Sequence, residues 1–261
     1  MPIAPRWRRS SYLNGIFVKT WVFVVGSVAI CLLTSCSSSG GQSSPPTRTS
    51  LSSSASPSSG PVPTRSELLA DLLQPGDLPS SWRATKHDAS DDSSDAADQA
   101  ADAACLNARN TYSDQLVDVH SPDYDETSGS SITSEATSFR SSADVDSDAK
   151  MFADPKASAC YMSVARKDAA SGLPAGYKLD GVDIKVKPGT NGGPANEVAL
   201  ITGTVTLTAQ GVNVVTYDST VALRGNMTEF SIDFVGVGAP VSAAVQRATV
   251  DKVSSRIAHG G

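Results

Sequence analysis

From Gly176 onward the chain reads with a period of two, and this stretch restricts the fold more than any other. Tyr177 to Val186 is predicted as a strand. Val198 to Ala209 then sets Ile201, Val205 and Leu207 against Thr202, Thr204, Thr206 and Thr208, so one face is apolar and the other carries hydroxyls. Gln210-Gly211 turns the chain and Val212 to Arg224 runs back. Gly225-Asn226 turns it again, and Met227 to Val235 places Phe230, Ile232 and Phe234 on one face. Strands joined by such tight turns are antiparallel, because a parallel pair needs a long crossover. The apolar face needs a cover. Residues 241–258 supply one as a helix in which Ala243, Gln246, Val250, Val253 and Ile257 recur at three-to-four spacing. The expected class is therefore α+β, an antiparallel sheet whose last strands form a meander, with helices packed on one face.

Upstream the period is helical. Thr64-Arg65-Ser66-Glu67 fits a capping box, and Leu68, Leu69, Leu72 and Leu73 follow until Pro75-Gly76 ends the run. Asp77-Leu78-Pro79-Ser80-Ser81-Trp82 is a turn ending in an aromatic. The acidic, alanine-rich stretch Asp88 to Ala104 favours a helix in its second half, with Cys105 near the end. Residues 121–130 read as a loop and Ser131 to Arg140 as a strand. Asp144 opens a helix with Val145, Ala149 and Phe152 on one side. Pro155 begins another, whose stripe Ala157, Cys160, Tyr161, Val164 puts Cys160 on the buried side.

Residues 1–35 have a different character. Arg6, Arg8, Arg9 and Lys19 precede the apolar run Trp21 to Leu33, and no acidic residue occurs before Cys36. This is a signal peptide layout, since an apolar helix of that length rises only ~20 Å, short of the ~30 Å hydrocarbon core. Ser10-Ser11 before Tyr12-Leu13 displaces the aromatic that a twin-arginine signal requires, so Sec export is expected. Leu33-Thr34-Ser35-Cys36 resembles the bacterial lipobox. The resemblance implies a diacylglycerol thioether on Cys36, cleavage before it and acylation of the new amino terminus, palmitate being a typical chain. Two or three acyl chains, at ~0.8 kcal/mol per buried methylene, make a durable anchor. The expected location is thus the extracytoplasmic face of the cell membrane, with the membrane as a partner through Cys36. Residues 36–64 hold one charge, Arg48, and almost nothing apolar, so they form a disordered tether. Residues 65–261 remain for a single domain.

Loss of the leader removes four of the 21 basic residues and none of the 27 acidic ones, leaving 17 against 27, a net charge of −10. Such a surface repels phosphate backbones, which argues against nucleic acid as a partner. With Cys31 removed and Cys36 lipidated, Cys105 and Cys160 are the remaining cysteines. An even pair in an oxidising compartment reads as one disulfide joining two helices.

Catalytic and metal patterns find little support. Ser147-Asp148-Ala149-Lys150 spells S-x-x-K, but no K-T-G or S-D-N accompanies it. Asp144, Asp146 and Asp148 open like a calcium loop, yet Ala149 and Pro155 stand where Gly and Glu are needed, so a helix amino terminus is the better reading. Asp88, Asp91, Asp92, Asp95, Asp98 and Asp102 read as a solvated acidic face. His87, His120 and His259 are scattered, and none pairs by spacing with a glutamate or another histidine. Gly189 to Gly193 lacks the helix a phosphate loop uses. Trp82 and Tyr112 read as packing residues. No catalytic, cofactor or metal residue is assigned, and the chain is read as no enzyme.

The leucine-rich first helix, Asp77-Leu78-Pro79 with Trp82, Cys105 in an early helix, the serine-rich strand ending in Phe139-Arg140, Ala157-Ser158-Ala159-Cys160, and the meander reaching Arg224-Gly225-Asn226 before a helix ending in Arg256-Ile257 together resemble the PknH-type extracellular sensor domain. That domain occurs on actinobacterial receptor kinases and on free-standing envelope lipoproteins. In architecture the chain is also similar to the PsbP-like fold of LpqN-type lipoproteins. The resemblance implies a sensor-like or accessory module that binds an envelope ligand or protein in a cleft on the sheet, without catalysis. This chain has one cysteine pair where the sensor domain has two, and no kinase, so no binding residue is carried over. The alternative expectation is a carrier of lipid or another hydrophobic molecule.

Overall fold

A computed structural model describes residues 61–87, 95–171, 173, 176–189, 197–209 and 211–260. The α+β class holds, with five helices and eight antiparallel strands among these residues. In chain order they are α1 (Arg65–Asp71), β1 (Arg83–Thr85), α2 (Asp95–Leu106), β2 (Gln115–His120), β3 (Asp123–Asp125), β4 (Ser131–Phe139), α3 (Ser142–Ala153), α4 (Ala157–Ser171), β5 (Tyr177–Pro188), β6 (Glu197–Ala209), β7 (Val212–Arg224), β8 (Thr228–Val237) and α5 (Ala243–Gly260). The sheet runs β1-β3-β4-β8-β7-β6-β5, with β2 pairing β4 beside β3. The meander is β5 to β8, as the turn residues require. Gly211 sits at φ +80° in the β6–β7 hairpin, a conformation that favours glycine.

Residues 121–130 do not form a continuous loop: β3 lies within them and pairs both β1 and β4. Together β2 and β3 line one edge of β4, interrupted at Ser121-Pro122. Pro122 has no N–H for the ladder. Ser121 fills the gap on its own account, donating its N–H to the Ser134 carbonyl at 2.8 Å and accepting the Ser134 N–H on its hydroxyl at 3.0 Å.

The helices divide between the two faces of the sheet instead of sharing one. Val221 and Leu223 of β7 pack with Leu68, Leu72 and Leu73 beside α1 and with Val250, Val253 and Ile257 of α5. Ala222, which points the other way, packs with Met151 and Phe152 of α3 and Tyr161 of α4, together with Ile201 and Val205 of β6. Ala243, expected on the inner face of α5, is exposed, and Val245 takes that place. The threonine-bearing face of β6 stays uncovered, with Thr202 exposed and Thr204, Thr206 and Thr208 half-buried.

Local signals account for the ends of the elements. The capping box forms as read: Glu67 accepts the Thr64 N–H at 2.6 Å, and Thr64 accepts the Glu67 N–H. At the other end of α1, Gln74 donates its amide to the Leu69 and Leu72 carbonyls. Arg256 of α5 donates through Nη1 to the Leu72 carbonyl and through Nη2 to both carboxylate oxygens of Asp77 at 2.6 and 2.8 Å, which ties the last helix to the end of the first.

Candidate functional site

Cys36 and the leader lie outside the described residues. Cys105 and Cys160 are bonded, with their Cα atoms 5.7 Å apart and a sequence separation of 55. The bridge joins α2 to α4, with Cys160 buried on the face its stripe predicts and Cys105 at the surface.

The same sheet face that packs α3 and α4 over β6 changes character over β4 and β8. Here Thr133, Glu135 and Thr137 of β4 lie opposite Asp233, Ser231 and Glu229 of β8, and all six are buried. Polar side chains withdrawn from water need partners. Two clusters provide them.

The first cluster joins β2 to β4. Asp118 and His120 are two residues apart on β2, so they share a face, and the register sets His120 opposite Glu135 and Asp118 opposite Thr137. His120 Nε2 lies 3.1 Å from Asp118 Oδ2, and Nδ1 lies 3.9 Å from Glu135 Oε2. Thr137 donates its hydroxyl to Asp118 Oδ1 at 3.2 Å. The Glu135 carboxyl stands close to Asp118 as well. Burial works to raise the Asp118 carboxyl, but His120, Glu135 and Thr137 together hold it below the ordinary carboxylate range. The ring of His87 stacks on that of His120 at 4.3 Å and 8° between planes, and Asp123 of β3 holds His87 through Nδ1 at 2.9 Å. One ligand atom each from Asp118, His120 and Glu135 fall within 4.8 Å of one another.

The second cluster joins α3 to β8 and the segment after α2. Both carboxylate oxygens of Asp148 accept from the Thr111 hydroxyl at 2.7 Å, and the two buried acids Asp148 and Glu229 act on each other's charge. Burial pushes Asp148 up to about 7, helped by Asp144 and opposed by Thr111 and Arg109. Burial, then the charge of Asp148, pushes Glu229 well above its usual range against the pull of Arg224. Arg109 bridges Asp114 and Asp144, and Arg224 pairs with Asp146 at 2.6 Å. The phenol of Tyr161 is held in its protonated form by burial and by the surrounding acids, Asp102 foremost. Asp102 itself, packed within α2, is pushed up to about 8 by burial and by Asp98 and Asp168.

Several sequence readings change at this point. Asp102 is fully buried, so the acidic run is not a solvated face throughout. Asp144, Asp146 and Asp148 do occupy the first turns of a helix, but each has a separate partner and they do not converge on one point. His87 and His120, scattered in sequence, meet on the sheet, whereas the His259 side chain lies outside the described ones. Ser147 and Lys150 lie on α3, half-buried and exposed respectively; Trp82 packs against the α1–α5 core and Tyr112 is exposed. Of the glycine-rich segment, only Gly189 is among the described residues. The signal missed in the sequence is Asp118-Val119-His120, an alternation of polar, apolar and polar residues that marks a strand with one wet face.

No protein-family model matches this chain, and no curated protein matches it.

Proposed function

We propose that the chain is an extracytoplasmic lipoprotein of the cell envelope, tethered through lipidated Cys36, whose α+β domain is a non-catalytic, sensor-like or accessory module that binds an envelope ligand or protein. The observation that carries the reading is the Cys105–Cys160 bridge between α2 and α4, a structural disulfide of the kind kept in oxidising compartments. It agrees with the export signal at the amino terminus, and the net charge of −10 in the mature chain weighs against nucleic acid. The packing of the domain favours recognition of a ligand at its surface over carriage of a lipid inside it. Both apolar faces of the sheet are occupied by helix side chains, which leaves that surface to the core.

Mass spectrometry of the amino-terminal peptide tests the anchor: a diacylglyceryl, acylated Cys36 is expected, and an unmodified Cys36 or a retained leader overturns it. Native mass spectrometry of protein prepared without detergent tests the binding class, with no co-purifying lipid expected in the domain. Repeated recovery of bound lipid favours the carrier.

A further inference from the structure

We propose that Asp118, His120 and Glu135 form a binding site for a single divalent transition-metal ion, zinc being the best match to the donor set. The proposal does not depend on the anchoring or binding role above.

The sheet register builds the site. Alternation along β2 puts Asp118 and His120 on one face, and the antiparallel pairing brings Glu135 directly across from the imidazole. Both strands are held in the ladder, so these donors sit on a rigid support, unlike ligands borne by a loop. Zinc bonds to imidazole nitrogen and carboxylate oxygen at about 2.0–2.2 Å, so tetrahedral ligand atoms stand about 3.3 Å apart. One ligand atom each from Asp118, His120 and Glu135 already lie within 4.8 Å of one another, so side-chain rotation alone has to draw them in to that spacing around one imidazole nitrogen.

Charge argues in the same direction. Two carboxyl groups stand beside one imidazole, with Glu135 4% exposed. A dication at that point offsets the negative charge of both carboxylates together. The supporting contacts resemble those that orient metal ligands. Thr137 binds Asp118 Oδ1 and leaves Oδ2 turned towards the imidazole. The stacked ring of His87, itself fastened to Asp123, fixes the plane of His120. One nitrogen and two carboxylate oxygens suit zinc, with manganese next, better than calcium, which takes six to eight oxygens. Three protein ligands also leave a tetrahedral ion one position for water or an external donor.

The test uses the untagged full chain, in whatever processed form its host produces, stripped with EDTA and titrated with zinc chloride by calorimetry. One ion per chain is expected, at micromolar dissociation constant or tighter, with excess magnesium or calcium failing to displace it. Asp118→Asn and His120→Gln should each weaken binding by at least about tenfold while circular dichroism stays native. Absence of stoichiometric binding, unchanged affinity in both folded variants, or displacement by calcium overturns the proposal. Should the variants fold poorly, cobalt-loaded wild type decides it: the chain has three histidines, and the His120 ring protons should show the largest hyperfine shift. A cobalt ion that shifts His259 and leaves His120 in place overturns it equally.

Discussion

Asp102 and Asp148 show how far burial can move a side chain from what its neighbours in sequence indicate. In an unfolded chain an aspartate releases its proton near 4, but folded Asp102 keeps it to about 8 and Asp148 to about 7. Across that window the folded state binds more protons than the unfolded one, so stability falls as pH rises through it. Asp77 and Asp118 act oppositely. Burial raises both, yet hydrogen bonds led by Arg256 and His120 respectively hold them below the usual range, and their contribution is lost as pH falls towards those values. Thermal unfolding followed from pH 4 to 9 should therefore peak at about pH 5 and lose several °C by about pH 8. Asp102→Asn, which is neutral throughout, should flatten the alkaline limb. An unchanged limb would mean that Asp102 ionises freely. The Arg256–Asp77 bridge yields a second expectation at this scale: Arg256→Met should cost about 1.5–3 kcal/mol in urea unfolding, because the Leu72 carbonyl and the Asp77 carboxylate both lose a charged donor.

Among the elements, α2 and the β2–β3 edge depend most on their surroundings. The α2 sequence is alanine and aspartate with little apolar bulk, and it packs on α4 through Ala103, Leu106 and the disulfide. A bridge closing 55 residues contributes ~4 kcal/mol in the chain-entropy model. Cys160→Ser, or reduction of the wild type, should accordingly lower the urea midpoint by an amount equivalent to about 2–5 kcal/mol, measured with and without reductant. The β2–β3 edge escaped the sequence reading because both pieces are short and Ser121-Pro122 between them carries turn chemistry. Their pairing comes from β4, which offers a complete ladder on that side. By contrast α1, β4, α3, α4 and the meander were legible, since each has either a capping signal or a sustained apolar period.

At the scale of the molecule, the sheet separates two cores. Leu68, Phe230, Ile232, Phe234 and Val253 fill one, and Phe152, Tyr161, Ile184, Ile201 and Leu207 the other. Because the two cores are offset along the sheet, each face has a half without apolar cover: the threonine ribbon of β6 on one side, and the polar patch over β4 and β8 on the other. No helix among the described residues is long and apolar enough to cross a membrane. In the proposed role the lipid on Cys36 is the attachment. Cys36→Ser should then move the protein from the membrane fraction to the soluble one, as seen by immunoblot of fractionated cells, with the thermal stability of the domain unchanged.

Taken alone, the sequence determined the class of fold, the antiparallel meander, the capped first helix and the cysteine pair, because each is written in contacts between near neighbours or in an unbroken period. The tertiary structure decided which face each helix covers, how β2 and β3 dock on β4, and which polar residues are buried together. His87, Asp118, His120 and Glu135 come from three separate segments. Only the sheet register brings these segments together, and no local pattern encodes a register set between strands.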